Sequence, residues 1–380
     1  MEKTKKGGSI LGGLIFILIG IALLGYNESR TVKTQSAINE ALKVYIDVQS
    51  ENVDPANEGK LIATKGKIDI SNATELKDQT FNITALGVKL ERLVEMYQWQ
   101  EECTTDENNK EVCNYTKVWS EDINDSTMFE NKEYVNPTSK KFETEEYFAQ
   151  NVKLGAFDLS SRLIESLSYN EDLTYEFLSS QYKEEKEGFK LDGKYLINYD
   201  NTVEPKIGNL RISYKVAKDG SASILGVQKG NGFEAFTGKK GKSILTIRRG
   251  EYTGREILNQ LTKENKIVKW LFRIVGTLLI IFGISSFFAP LQRLAGKVPI
   301  LGSVVNTSTG LISLLLGFTI SLLTIAIAWF KARPILALIL IVIAIVLFII
   351  LKLNLGKSIK VSAANALKKE KNKIKDNIKS

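Results

Sequence analysis

The stretch that decides the fold is residues 10–34, ILGGLIFILIGIALLGYNESRTVKT, in which an unbroken apolar run gives way abruptly to charge. The apolar part, residues 10–25, is 16 residues long. A membrane-spanning helix needs about 20 apolar residues, within a range of about 17–25, so this run is short for a span and is also compatible with the core of a signal peptide. The residues that follow the run bear on this choice.

Those residues favour an uncleaved anchor. A cleavable signal ends in small residues, whereas leucine and Tyr26 stand at the end of this run. A tyrosine is typical of the membrane–water interface. We therefore predict a transmembrane helix over 10–25, followed by a membrane-boundary motif formed by Tyr26, Asn27, Glu28 and Arg30. Two interpretations of Glu28 and Arg30 stay open: they set the depth of the anchor, or they also hold the following domain against the other spans.

Three more apolar segments follow near the C-terminus, and each is long enough to span a bilayer. Lysines at both ends of the chain favour a cytoplasmic location for both termini, because positively charged flanks remain inside. The predicted segments are a basic cytoplasmic N-terminus (1–9), helix 1 (10–25), an extracytoplasmic domain (26–266), helix 2 (267–291), a cytoplasmic loop (292–308), helix 3 (309–330), helix 4 (334–352) and a basic cytoplasmic tail (353–380).

The long segment 26–266 has the patterns of an α+β domain rich in strands. Residues 210–216 alternate between apolar and polar side chains, and Asp219-Gly220 after them predicts a hairpin turn. A second hairpin is predicted between residues 94–99 and 115–119. Helical patterns cover 143–150, 159–167 and 253–261, and Thr253 with Glu256 has the spacing of a capping box. The fold class is therefore a four-span α-helical membrane protein with a large β-rich domain between spans 1 and 2.

The composition excludes much catalytic chemistry. The chain has no histidine, so Ser-His-Asp and Cys-His sites and all histidine-ligated metal sites are excluded. The two cysteines, Cys103 and Cys113, flank the second hairpin loop and favour a structural disulfide outside the cytoplasm, with free thiols as the alternative. We expect no catalytic, cofactor-binding or metal-binding residues, and no enzymatic activity.

Charge and small residues indicate further contacts. The net charge is +8, but the lysines concentrate at the two ends, which argues against nucleic-acid binding. The Lys-rich tail suits contact with anionic lipid. Gly8 and Gly12 form a GxxxG pattern, and together with Gly13 and Gly20 they give the first span a small-residue surface suited to close helix packing.

Several motifs together resemble the LUMA family, also called transmembrane protein 43. They are GYNESRTVKT at 25–34, VEMYQWQEE at 94–102, WSEDIN at 119–124 with Asn136-Pro137, GNLRIS at 208–213, and Pro299. The resemblance implies a four-span membrane protein without an established reaction. Animal members are associated with the endoplasmic reticulum and inner nuclear membrane, where they bind nuclear-envelope proteins and self-associate. The Lys/Asn/Ile-rich, His-free composition instead favours a bacterial member in the plasma membrane.

The expected function is a non-enzymatic membrane scaffold. It would organise membrane protein complexes or the envelope, with the extracytoplasmic domain as its interaction surface. The expected partners are the lipid bilayer, other membrane proteins and further copies of the chain. The alternative is a channel or transporter component built from oligomerised spans, although the C-terminal spans carry little charge beyond Arg273.

Overall fold

The structure, a computed structural model, describes residues 10–105, 111–295, 299–330 and 334–353. The predicted basic ends, including Gly8 and most of the Lys-rich tail, lie outside the described residues. The chain divides into two compact units. The membrane unit comprises Met1–Glu40, Thr237–Lys242 and Asn259–Ser380, and the domain unit comprises Ala41–Phe236 and Ser243–Leu258.

Six α-helices lie within the described residues. They are α1 (Ile10–Val44), α2 (Ser161–Ser166), α3 (Tyr175–Gln181), α4 (Gly254–Ala295), α5 (Pro299–Trp329) and α6 (Pro334–Leu353). Four of them are long and apolar enough to cross a membrane: α1, α4, the Gly310–Trp329 part of α5, and α6. This confirms the predicted four-span class.

The first two spanning helices are longer than the membrane requires. α1 has 35 residues and α4 has 42, which at 1.5 Å per residue correspond to about 52 Å and about 63 Å, against about 30 Å of hydrocarbon. The apolar run that ends at residue 25 is therefore the first half of a helix that continues to Val44. The capping box is confirmed as the start of α4: the backbone N–H of Thr253 donates to Glu256 Oε2 over 2.8 Å, and that of Glu256 donates to Thr253 Oγ1 over 3.3 Å.

Glycines bring α1 and α4 together. A Cβ atom on Gly13 would lie 2.6 Å from the carbonyl oxygen of Gly283, and one on Gly20 would lie 2.8 Å from that of Gly276. Gly13 and Gly20 are seven residues apart on α1, and Gly276 and Gly283 are seven residues apart on α4. The same face of each helix therefore makes both contacts, and the two helices run antiparallel. The small-residue surface predicted on the first span thus packs within the chain. α5 joins the pair through an apolar cluster around Leu24.

Two seven-stranded sheets form the domain unit. The first contains β1 (Ile46–Gln49), β2 (Leu61–Asp69), β8 (Lys153–Leu154), β9 (Phe157–Asp158), β14 (Gly220–Lys229), β15 (Gly232–Glu234) and β18 (Thr246–Arg249). The second contains β5 (Lys89–Thr105), β6 (Glu111–Ser120), β7 (Glu145–Phe148), β10 (Glu171–Asp172), β11 (Lys190–Asp192), β12 (Tyr195–Ile197) and β13 (Leu210–Ala217). Two short hairpins, β3 (Leu76–Asp78) with β4 (Ile83–Ala85) and β16 (Phe236–Thr237) with β17 (Ser243–Ile244), complete the strands of the described residues.

One apolar core includes side chains of both large sheets. Ile62 and Ile224 contribute from the first sheet, and Leu90, Val94 and Ile212 contribute from the second. All five are fully or almost fully buried. The alternating pattern of residues 210–216 is explained by this core, because every second side chain of β13 points into it.

The structure confirms one predicted hairpin and corrects two other local predictions. β5 pairs with β6 in an antiparallel register that sets Tyr97 opposite Trp119. Asp219-Gly220 does not close a hairpin: β13 and β14 belong to different sheets, because each pairs with a more distant strand. Residues 145–148, which lie within the helix predicted over 143–150, form the strand β7. All four residues pair with β5, and this pairing overrides the short helical pattern.

Candidate functional site

Two residues of the predicted boundary motif, Asn27 and Glu28, lie in a buried charged cluster of the membrane unit. Asn27 and Glu28 on α1 are almost completely buried, whereas Tyr26 is well exposed. The two carboxylate oxygens of Glu28 accept from two other helices. Arg273 Nε on α4 donates to Oε1 over 2.6 Å, and Trp329 Nε1 on α5 donates to Oε2 over 2.6 Å.

Two tryptophan rings flank the arginine of this ion pair. The guanidinium carbon of Arg273 lies 5.0 Å from the ring centroid of Trp270 and 5.0 Å from that of Trp329. Both distances suit cation–π attraction. Arg273 lies well inside the 42-residue α4. The tryptophan N–H donor and the two rings lower the cost of burying the Glu28–Arg273 ion pair in an apolar environment.

A reciprocal pair of asparagines extends the contact. Asn27 Nδ2 on α1 donates to the carbonyl oxygen of Lys269 over 3.0 Å, and Asn265 Nδ2 on α4 donates to the carbonyl oxygen of Thr31 over 3.2 Å. Thr31 lies four residues after Asn27 on α1, and Lys269 lies four residues after Asn265 on α4. The two hydrogen bonds therefore form a reciprocal pair across the antiparallel helices. Polar side chains that bond across helices in this way hold spans together.

The boundary motif therefore contains residues with different roles. Asn27 and Glu28 join α1 to α4 and α5, and Tyr26 faces outward. Arg30 Nη2 makes a long local hydrogen bond of 3.4 Å to Thr31 Oγ1. The sequence left open whether Glu28 only sets the depth of the anchor or also makes contacts with the rest of the protein. The structure shows Glu28 bonded to two other helices of the membrane unit. Chemically, a carboxylate with both oxygens bound to donors is suited to fixing helices in place.

A second buried polar network lies in the domain unit. Asp78 Oδ1 accepts from Arg92 Nη1 over 2.9 Å, and Asp78 Oδ2 accepts from the hydroxyl of Tyr214 over 2.6 Å. Burial alone would lower the pKa of Arg92, but attraction to Asp78 outweighs it and the pKa is raised. Burial and the Asp78 charge both raise the pKa of Tyr214. Buried ion pairs that are linked by hydrogen bonds hold together the elements that carry them, here β3, β5 and β13.

Three of the family-like motifs meet at a third polar cluster. Asn136 accepts from the backbone N–H of Trp99 over 2.7 Å and donates to the carbonyl oxygens of Trp99 over 2.8 Å and Asn124 over 3.0 Å. Gln98 Oε1 accepts from the N–H of Asn124 over 2.9 Å. The stretches MYQW, SEDIN and Asn136-Pro137 thus form one structural unit, in which buried amides replace missing backbone partners.

The cysteines lie opposite each other on β5 and β6. Their sulfur atoms are bonded, and the predicted disulfide remains a prediction for the protein in its membrane. Ligand atoms of Glu101, Cys103 and Cys113 lie within 4.8 Å of one another. With the sulfurs bonded to each other, thiolate ligation of a metal there would require reduction of the disulfide.

The partners of Glu28 and the asparagine pair were not predicted from the sequence. A signal for them exists in the spacing of α1, where Gly13, Gly20, Asn27 and Thr34 recur every seven residues. A seven-residue repeat of small or polar residues marks the face of a helix that packs on another helix over several turns. The second helix, and the pairing of Glu28 with Arg273, could not be read from that spacing.

The fold and the cluster define a class: a multi-span membrane protein with a β-rich domain between its first and second spans, and a buried charged contact that joins three spanning helices. Comparison with known proteins agrees with this class. The family described as Transmembrane protein 43 matches residues 96–334, more than half of the chain, and the chain belongs to that family.

Full-length relatives support the assignment. The chain is 27% identical to human Transmembrane protein 43 over 356 residues, which cover 89% of this chain and 88% of the relative. It is 28% identical to the Transmembrane protein 43 homolog of Drosophila melanogaster over 347 residues, which cover 86% of this chain and 89% of the relative. No solved structure matches the chain.

Proposed function

We propose that this chain is a non-enzymatic membrane scaffold that organises membrane protein complexes or the envelope, and that the domain unit is its interaction surface. The observation that carries the proposal is an aromatic surface on the second sheet, built from two groups of contacting rings. We call it the aromatic face; its members are Tyr97, Trp99, Tyr115, Trp119, Tyr134 and Tyr199.

The rings of the aromatic face support one another and remain partly accessible. Tyr115 and Tyr134 are stacked with centroids 3.9 Å apart, and the Trp99 and Tyr134 centroids are 4.7 Å apart. In the second group of rings, the Tyr97 and Trp119 centroids are 5.1 Å apart. All of them are half-buried. Rings held in place by neighbours lose little conformational entropy on binding, which is why tyrosine and tryptophan dominate interface energetics.

A cation completes this surface. The guanidinium carbon of Arg211 lies 4.7 Å from the Trp119 ring centroid, and its Nε donates to Glu95 Oε2 over 2.7 Å. Arginine, like tryptophan and tyrosine, is enriched where proteins bind proteins. The aromatic face therefore has the composition of a protein-binding surface.

The proposed setting is the bacterial plasma membrane, with residues 26–266 outside the cytoplasm. Its support is the lysine distribution at the chain ends and the facing pair Cys103 and Cys113. We also propose that copies self-associate. Because Gly13 and Gly20 pack inside the chain, self-association would use other surfaces.

The experiment is chemical crosslinking in native membranes followed by affinity purification of the full chain, with Trp119→Ala compared with Tyr175→Ala. Tyr175 is an exposed tyrosine on α3, outside the aromatic face, and serves as the control. We expect defined membrane-protein partners that are lost in Trp119→Ala and kept in Tyr175→Ala. A monomeric chain without partners in native membranes would contradict the scaffold, and ion flux through liposomes that contain only this chain would favour the channel alternative.

A further inference from the structure

Buried polar atoms without a hydrogen-bond partner concentrate along one stretch of the α1–α4 contact. Eleven buried side-chain atoms in the described residues have no hydrogen-bond partner, and five of them belong to this stretch. They are Asn27 Oδ1, Arg30 Nε, Thr34 Oγ1, Asn265 Oδ1 and Arg273 Nη2. We call these five atoms the polar seam.

The orientation of the two asparagines is fixed by their other contacts. Each donates its Nδ2 to a backbone carbonyl of the opposite helix, at 3.0 Å for Asn27 and 3.2 Å for Asn265. A flipped amide would place oxygen against oxygen, so the Oδ1 atoms must point away from those carbonyls. Both side chains are at least nine-tenths buried. Two amide oxygens are therefore held inside the contact without donors.

The members of the polar seam lie beside the same part of α1. Asn27, Arg30 and Thr34 are spaced by three, four and seven residues, which places them on one helical face. Asn265 bonds to the carbonyl of Thr31, and Arg273 bonds to Glu28, so the two α4 residues lie along this same part of α1. The seam thus extends from Thr34 to the buried Glu28–Arg273 pair.

The chemistry of the five atoms selects the ligand. Two are amide oxygens that only accept, one is a hydroxyl that both donates and accepts, and two are guanidinium N–H donors. A metal ion would be repelled by the two guanidinium groups, and an anion would face the two amide oxygens. Water both donates and accepts, and buried waters make about three hydrogen bonds each to groups of this kind. Leaving such buried groups without partners is unfavourable, so the seam favours an occupant that can bond to both kinds of group.

We propose that the polar seam binds a short file of ordered water molecules that hydrates the buried Glu28–Arg273 pair from the C-terminal side of α1. Ionisable residues inside membrane proteins commonly face water-filled spaces, because water lowers the cost of burying charge. This inference concerns a binding site for water inside the membrane unit, and it does not depend on the proposed scaffold function.

The first experiment measures the reactivity of a cysteine placed in the polar seam. In the full chain with Cys103 and Cys113 replaced by serine, Thr34→Cys is treated with a small, charged methanethiosulfonate reagent. Lys33→Cys, at an exposed position of α1, is the fully reactive control, and Ile38→Cys, at a buried apolar position, is the dry control. We expect Thr34→Cys to react at least about tenfold faster than Ile38→Cys. Equal rates at these two positions would overturn the proposal.

The second experiment does not depend on cysteine variants. Thr34→Val keeps the shape of the side chain and removes only the hydroxyl. If water binds Thr34 Oγ1, the variant loses a hydrogen bond and its thermal midpoint falls. If the seam is dry, removing an unpartnered buried hydroxyl leaves the midpoint unchanged or raises it. An unchanged or higher midpoint for the purified full chain therefore contradicts the ordered water.

Discussion

Gly13 and Gly283 approach so closely that a Cβ atom on either residue would lie 2.6 Å from the carbonyl oxygen of the other. Because the obstructing atom belongs to the backbone, it cannot rotate away as a side chain could. The contact between α1 and α4 is therefore a contact between two backbones, and only glycine fits at these positions. Close backbone approach increases dispersion attraction between spanning helices.

Substitution at the glycine contact is expected to separate α1 from α4. Gly13→Ala places a methyl group where no space exists, so we expect a lower thermal midpoint of the full chain in mild detergent. Gly25→Ala is the matched control on the same helix, since its added Cβ meets nothing within 4 Å. There, alanine stabilises a helix interior by about 0.5–1 kcal/mol relative to glycine. Equal effects of the two variants would contradict the contact.

Breaking the buried ion pair is expected to destabilise the membrane unit. Glu28→Gln leaves Arg273 buried without a counter-charge, and removal of one partner of such a pair costs about 3–5 kcal/mol. Lys33→Gln, at an exposed position on the same helix, is expected to change little. In a double-mutant cycle, Glu28→Gln with Arg273→Gln should cost less than the sum of the single variants. Strict additivity would show that the two groups do not interact.

Alkaline pH is expected to weaken the domain unit through Tyr214. The folded protein raises the pKa of this hydroxyl above its usual value of 10.0, because of burial and the Asp78 charge. Above pH 10 the Tyr214 hydroxyl therefore loses its proton in the unfolded chain but keeps it in the folded chain. The contribution of this group to stability is fully present below pH 10 and decreases as the pH rises above it. Tyr214→Phe should be less stable at neutral pH, yet its stability should fall less steeply above pH 10. Tyr175→Phe should keep the wild-type slope.

The Asn136 cluster is expected to be a main stabiliser of the β5–β6 hairpin. Asn136→Ala removes three hydrogen bonds and leaves the backbone groups of Trp99 without this partner, so we expect a loss of about 2 kcal/mol or more in the free energy of unfolding. Asn72→Ala, at an exposed position, is the control. Chemical denaturation of the full chain measures both. A change no larger than that of Asn72→Ala would contradict the role of the cluster.

The cysteine pair is expected to be oxidised in the membrane. Intact mass spectrometry without reductant should show a chain lighter by two hydrogen atoms, and an alkylating reagent should label neither Cys103 nor Cys113 until reductant is added. Replacing both cysteines by serine should cost no more than about 3 kcal/mol, because the closed loop is short and strand pairing already holds its ends. Alkylation of both cysteines before reduction would contradict the disulfide.

The sequence was sufficient where a pattern depends on neighbouring residues. Four apolar segments predicted four spans, alternation over residues 210–216 predicted β13, and the spacing of Thr253 and Glu256 predicted the start of α4. It failed at Asp219-Gly220, where a turn signal is local but the choice of strand partner is not. The helical pattern at 145–148 failed for the same reason, since pairing with β5 decides that segment.

By itself, the sequence determined that this is a four-span membrane protein with a β-rich domain between the first two spans, because hydrophobic length and periodicity are properties of single segments. Only the tertiary structure decided that Glu28 meets Arg273 and Trp329, which lie 245 and 301 residues away along the chain. The physical reason is that a buried carboxylate must find its donors in space. Which donors it reaches depends on how closely Gly13 and Gly20 allow α1 to approach α4.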